Sequence, residues 1–409
     1  MTEILLTIFF ISVLLFFLGS GIWVALSMIG VSAIGMMLFT SRPVGDAMAT
    51  TIWGTSSSWT LTALPLFVWM GEILFRTKLS ENLFRGLSPW MQKLPGGLIH
   101  VNIVGCALFA AISGSSAATV ATVGKMSIPE LRKRKYPEKI LLGSLAGSGT
   151  LGLLIPPSII LIIYGVAVQE SIAKLFIAGI IPGIMIALIF MSYVIIWSLI
   201  NKKIMPKILE EYSFIDKIKR SKQLLPVIIL ILAVIGSIYT GIATATEAAS
   251  LGVLGALILS YFQKSLTVET FKSSLLGATK TSCMIAFILA GSTFLSLAMV
   301  FTGLPRNLAL WIQNMELSPY VLIFVLMIFY IILGMFLDGI SAVVLTMAII
   351  EPMIRQAGFD MIWFGIFLVI VVEMAQITPP VGFNLFVLQG MAKKDMGYIA
   401  RSAFPLFLS

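Results

Sequence analysis

Leu-Leu-Ile-Pro-Pro-Ser-Ile-Ile, residues 153–160 (LLIPPSII), sets two adjacent prolines in the middle of a stretch otherwise apolar enough to span a membrane. Proline lacks the backbone N–H and its ring clashes with the preceding turn, at a cost of about 3 kcal/mol in a helix interior. The helix must stop there. In lipid each carbonyl or N–H group so released costs several kcal/mol unless it faces protein, ions or water.

The double proline has a twin in ITPPVGF (377–383): Pro379 and Pro380 lie 223 positions after Pro156 and Pro157. The same offset carries Pro129 of MSIPEL onto Pro352 of IIEPMI, and an offset of 221 carries Trp90-Met91-Gln92 onto Trp311-Ile312-Gln313. These matches divide the chain into two homologous halves, 1–200 and 223–409, joined by a linker, 201–222. Residues 130–139 (ELRKRKYPEK) carry five basic and two acidic residues, whereas the equivalent 351–360 (EPMIRQAGFD) carry one and two. By the positive-inside rule the first loop is cytoplasmic and the second is not, so the halves are inverted.

Composition agrees with this reading. The 409 residues are 59% hydrophobic and 11% charged, with a mean hydropathy of +1.04, as expected of a polytopic all-α membrane protein. The start, MTEILLTIFFISVLLFFLGSG, has no basic segment or small-residue cleavage site and reads as a retained first span. The net charge of +9 sits in short loops between apolar runs, a membrane pattern that argues against nucleic acid as a partner. Cys106 and Cys283 lie inside apolar segments and read as small buried hydrophobes, and with His100 as the only histidine no His-rich metal or haem site can be built.

Threading the loops through the bilayer gives each half spans, an arm helix, a hairpin and a broken helix. The first holds scaffold spans (1–75), an interfacial arm helix (79–94), a re-entrant hairpin (97–131), a broken helix (139–168) and a span (173–200). The second holds scaffold spans (223–263), an arm helix (265–280), a span (281–302), a hairpin (319–354), a broken helix (361–390) and a last helix expected to be cut short (397–409). Linker 201–222, with seven basic and three acidic residues, returns to the cytoplasmic side, as do Arg76, Lys78, Arg85, Lys93, Lys393 and Lys394. The hairpin tips are the polar breaks SGSSAAT (113–119) and LDGISA (337–342), entering from opposite faces.

Two tips facing two broken helices bring helix C-terminal carbonyls, which suit cations, and helix N-terminal N–H groups, which suit anions, together at mid-membrane. That layout predicts a secondary transporter coupling a cation to an anion. Pro156, Pro157, Pro379 and Pro380 hold the helices open, and Gly143, Gly147, Gly149, Gly152, Ser148 and Thr150 line the first break. Ionisable residues at membrane depth default to functional candidates, which singles out Asp338 in the second tip and Glu373 before the second break for cation binding, proton transfer or helix capping. Glu72 and Glu247, near span ends, read as solvated or capping residues. No phosphate-binding loop is present.

These motifs, SGSSAATVATVGKMSIPEL, AGSGTLGLLIPPSIILIIYG, TGIATATEAASLGV, LDGISAVVLTMAIIEPMI and ITPPVGFNLFVLQG, at these spacings, closely resemble the large membrane subunit (M subunit, DctM-like) of tripartite ATP-independent periplasmic (TRAP) transporters. Ala245 stands where that family often has a second proline. The resemblance implies an elevator-type fold of the ion-transporter superfamily, in the bacterial inner membrane, importing organic anions such as carboxylates with two or more coupling Na+ ions. It also implies a small four-helix membrane subunit on a separate chain and a soluble periplasmic substrate-binding protein. Carried onto this sequence, the sodium candidates are Ser113, Gly114, Ser115, Ser116, Gly147, Gly149 and Thr150 in the first half, and Asp338, Gly339, Gln376, Thr378 and Pro379 in the second. Ser116, Ala117, Ser341 and Asn384 are the substrate candidates. The alternative is a one-component sodium- or proton-coupled dicarboxylate or citrate carrier of the same superfamily. A channel is disfavoured by the paired closed sites, and an enzyme by the distance along the helix from His100 to Ser113 and Ser115.

Overall fold

The computed structural model describes residues 3–77, 79–206, 212–222, 224–303 and 318–409, and these form helices with no strand. Among them Ile172–Ile200, Ala245–Phe262, Val268–Thr302 and Gly339–Gln356 are long and apolar enough to cross a bilayer. Val44–Ser56 with Trp59–Phe75 and Glu138–Leu154 with Ile159–Ala167 qualify as bent pairs, at 52° and 41°.

The scaffold is a group of apolar helices in which Val268–Thr302 packs along Val24–Phe39 and Ala63–Phe75, while Ala245–Phe262 packs on Ala63–Phe75 and Leu225–Tyr239. Against it lies a second group: the hairpins Ile99–Ser113/Ser116–Lys133 and Pro319–Gly334/Gly339–Gln356, and two helices that break at the double prolines. The first broken helix runs Glu138–Gly149 and Leu151–Leu154, then Ile159–Ala167; the second runs Met361–Ala375, then Phe383–Ala392. Both Pro–Pro bonds are cis. The final helix, Met396–Leu408, packs on Glu138–Gly149, where Gly143 and Gly147 present their bare faces to Ser402 and Leu406.

One expected element differs. Segment 265–280 is no separate arm but the first part of a single 35-residue helix, Val268–Thr302. No proline or glycine interrupts 281–290, so nothing in the sequence stops it. At the 221-residue offset it corresponds to the bent pair around 44–75, and the counterpart of arm helix Leu79–Met91 falls near 300–312. That stretch, with Trp311 and Gln313, lies largely outside the described residues.

Local chemistry explains where the tips sit. Gly114 ends its helix in the left-handed conformation at φ 57°, and Ser115 begins the next, its hydroxyl accepting from Ala118 N–H. In the second hairpin Asp338 is the N-cap, accepting from Ser341 N–H at 3.1 Å. Glu247 forms a capping box with Thr244, in keeping with its expected capping role. Cys106 is buried and Cys283, contrary to expectation, is exposed; neither is in a disulfide. His100 lies 2.8 Å, through Nε2, from the Pro95 carbonyl, at the far end of its helix from the hairpin tip.

Candidate functional site

Each hairpin tip is bonded to the break of its own repeat. In the first half, Ile159 N–H donates to the Gly114 carbonyl at 3.4 Å, and the Ser158 hydroxyl donates to the Leu153 carbonyl while accepting from Leu161 N–H, so one serine serves orphan groups on both sides of the prolines. In the second half Val381 and Gly382 N–H both donate to the Met335 carbonyl, at 3.3 and 3.4 Å, and Gln376 Nε2 donates to the Leu337 carbonyl at 3.4 Å. Gln376 O in turn accepts from Asn384 N–H across the break, at 3.2 Å.

The tips are tightly seated. A Cβ added to Gly152 would lie 2.6 Å from Ser116 Cα and 2.7 Å from the Ser115 carbonyl group, so this glycine lets the first tip rest directly on the broken helix. Inside the tip, Ser113 Oγ lies 2.9 Å from Thr119 Oγ1, which donates to the Ser115 carbonyl at 2.8 Å. The two repeats are joined through Ser116, whose hydroxyl donates to Glu373 Oε1; Glu373 is 3% exposed and its Oε2 has no hydrogen-bond partner among the described residues.

A cavity of about 670 Å³ lies between the hairpin tips and the scaffold helix Ala63–Phe75. Of the residues singled out in the sequence, Ser113, Gly114, Ser115, Ser116, Ala117, Asp338, Gly339 and Gln376 line it. Gly147, Gly149, Thr150, Ser341, Thr378, Pro379 and Asn384 do not. Gly149 is covered by Val120, Thr150 Oγ1 donates to the Gly147 carbonyl at 2.6 Å, and Thr378 Oγ1 donates to Ala375 O at 2.7 Å. Asn384 is fully buried behind the cavity wall, with neither side-chain polar atom hydrogen-bonded among the described residues.

Sequence reasoning missed the scaffold's share of the wall. Val68, Gly71, Glu72 and Phe75 come from Ala63–Phe75, and Thr281 and Met284 from Val268–Thr302. Glu72 reads in the sequence as a solvated or capping residue and not as part of a wall, and Gly71 carries a weaker signal, a small residue in an apolar helix, whose face lies against the Ile112 carbonyl and Ser113 Cα. Among the described residues the lining holds the carboxyl groups of Glu72 and Asp338 and no lysine or arginine, and Glu72 pairs with Arg76 one turn away. An anion in this space would therefore be met by helix N-terminal N–H groups rather than by a fixed cation.

Residues 9–409 match the family described as tripartite ATP-independent periplasmic transporter, DctM component. The chain is 32% identical over 375 residues to the C4-dicarboxylate TRAP transporter large permease protein DctM of Pseudomonas aeruginosa, covering 91% of this chain and 87% of that one. It is also 32% identical over 369 residues to the 2,3-diketo-L-gulonate TRAP transporter large permease protein YiaN of Escherichia coli, covering 88% and 84%. In fold it resembles the YdaH transporter of Alcanivorax borkumensis, with a TM-score of 0.65 at 13% identity over 94% of each chain.

Proposed function

The chain belongs to the DctM-component family of tripartite ATP-independent periplasmic transporters, as a membrane permease subunit and not an enzyme, and from that premise we propose that it imports a small organic anion together with sodium. The anion is handed over by a periplasmic binding protein, and a small membrane subunit completes the complex in the inner membrane. The observation that carries this reading is the cavity of about 670 Å³ where both hairpin tips and the second break converge. The first limb of the first hairpin ends there at Ser113 and Gly114, and the second limb of each hairpin begins there, at Ser116 and at Gly339, so the space offers a cation and an anion each a suitable helix end. Two carboxyl groups, with no lysine or arginine among the described residues of the wall, favour a cation as one of the two.

The relatives named for a C4-dicarboxylate and for 2,3-diketo-L-gulonate stand at equal identity to this chain, so the carboxylate class is proposed and no single member of it. Alternating access is of the elevator kind. The cavity reaches Glu72 and Phe75, beside the end of the scaffold helix that the charge pattern assigns to the cytoplasm.

The test is uptake into liposomes containing this chain and its small membrane partner, with a panel of carboxylates, an inward sodium gradient, and the binding protein present or absent. Uptake should require both sodium and the binding protein. Uptake without the binding protein would favour the one-component carrier, and uptake driven as well by a proton gradient would overturn sodium coupling. With two or more Na+ per monoanion, each net charge moved gains about 2.3 kcal/mol per 100 mV, so an inside-negative potential should accelerate uptake.

A further inference from the structure

We propose that Glu373 is a positioning residue that makes cation binding in the two repeats cooperative, by fastening Ser116 of the first hairpin to the helix that ends at the second break. This rests on the sodium-coupled reading above. Ser116 opens the hairpin's second limb and lines the cavity, and its hydroxyl is held by the Glu373 carboxyl. Glu373 is buried on Met361–Ala375, and its own carbonyl accepts from Gln376 N–H at 3.1 Å. Gln376 also lines the cavity and holds the second tip through the Leu337 carbonyl.

The chain of contacts therefore runs from one tip to the other through a single helical turn. A Cβ on Gly339 would meet Val372 Cγ1 at 2.9 Å, so the start of the second hairpin's inner limb rests on the residue beside Glu373. Gly152 lets the first broken helix rest directly on the Ser115 and Ser116 backbone, so the tip that carries the Ser116 hydroxyl is itself held in place. An ion that orders the first tip thus orders the carbonyls at the second, and by linkage the reverse holds equally.

The experiment is a sodium titration of uptake in the reconstituted complex, with sodium-dependent thermal stabilisation of the same purified protein as a second readout. Wild type should show a Hill coefficient above one. Glu373→Leu, similar in bulk but without an acceptor, should lower it and raise half-saturating sodium by roughly 5- to 150-fold, the ordinary range of coupling between sites. Glu373→Gln keeps a carbonyl acceptor for Ser116 and should restore the wild-type slope, which a merely space-filling residue would not require. Ser116→Ala cuts the same link from the other side, and the double variant should be no worse than either single one. A Glu373→Leu variant as steep as wild type, additive losses in the double variant, or a wild-type Hill coefficient of one would each overturn the coupling while leaving sodium dependence intact. A wild type indifferent to sodium would overturn the functional reading itself.

Discussion

Gly152→Ala tests whether the first hairpin tip is positioned by direct backbone contact with the broken helix. The added methyl would sit 2.6 Å from Ser116 Cα and 2.7 Å from Ser115 C and O, all main-chain atoms that cannot rotate aside. Restoring ordinary contact at about 3.4 Å requires the tip to withdraw by about 0.8 Å. The Ile159 N–H to Gly114 carbonyl bond, already 3.4 Å long, would not survive that shift. Overpacking of this kind costs about 1–3 kcal/mol, while alanine recovers about 1 kcal/mol of helix propensity over glycine. The folded protein should therefore survive with a net loss of about 0–2 kcal/mol. The strain is concentrated at Ser115 and Ser116 in the cavity wall, so half-saturating sodium should rise by roughly 5- to 150-fold, the equivalent of about 1–3 kcal/mol. The assay is sodium-driven uptake in proteoliposomes, normalised to folded protein by gel filtration. Gly236→Ala, in the scaffold helix Leu225–Tyr239 where nothing lies within 4 Å of the added methyl, is the control and should leave uptake unchanged. Wild-type sodium affinity in Gly152→Ala would refute the reasoning, because the tip could then not be resting on this glycine.

Gly114→Ala should abolish sodium-driven uptake, since the residue sits at φ 57° and its Cβ would lie 2.9 Å from the Pro157 carbonyl; uptake within a factor of two of wild type would count against the tip–break contact. Asp338→Asn keeps the cap on Ser341 N–H and removes the charge, whereas Asp338→Ala removes both and should cost about 0.5–2 kcal/mol of stability. Raised half-saturating sodium in the asparagine variant would mark Asp338 as a ligand, and a change confined to the alanine variant would mark it as a cap alone. In the loop between Lys133 and Glu138, the Tyr136 hydroxyl accepts from Leu98 N–H at 3.0 Å and burial holds its phenol above the ordinary range. An acid so raised contributes stability fully below its ordinary value, near pH 10, and loses it as pH climbs through the folded value. Tyr136→Phe should therefore cost about 1–3 kcal/mol at neutral pH by orphaning Leu98 N–H, and should flatten the alkaline fall in melting temperature; an unchanged profile would exclude this tyrosine as its source.

Prolines and polar breaks made the architecture legible. The pairs Pro156–Pro157 and Pro379–Pro380 interrupt a helix, and the polar breaks SGSSAAT and LDGISA interrupt apolar runs, so breaks and tips followed from residue chemistry alone. Long-range partnership was not legible. Nothing in SGSSAAT says that Ser116 meets Glu373, 257 positions away, and nothing in GFN says that Asn384 turns behind the cavity wall while Phe383 faces it. Gly147 and Gly152 look alike in the sequence, yet one accommodates Leu406 and the other a hairpin backbone, because a glycine records that something approaches closely and not what. The extent of Val268–Thr302 was obscured for a different reason: KSSLLGATK has the amphipathic composition of an interfacial helix, and an interfacial segment can run directly into a span when no breaker separates them.

The pairing of tips with breaks also constrains how the molecule can move. Were a hairpin to swing alone as a gate, the first would leave Gly114 O and Ile159 N unpaired, and the second would strip Val381 N, Gly382 N and Gln376 Nε2 of their acceptors. Unpaired polar groups at membrane depth cost several kcal/mol each, so such a gate would be opposed by a large part of the stability of a typical domain. Movement of both hairpins with both broken helices as one body breaks none of these bonds and shifts the contact with the scaffold, where Gly71 meets Ile112 and Ser113 and where a hydrogen bond from the Ser292 hydroxyl to the Val344 carbonyl, at 2.6 Å, reaches the second hairpin. The prolines that stop the helices thus also create the groups that bind hairpin to helix, and the same bonds that shape the cavity favour carrying it across the membrane whole.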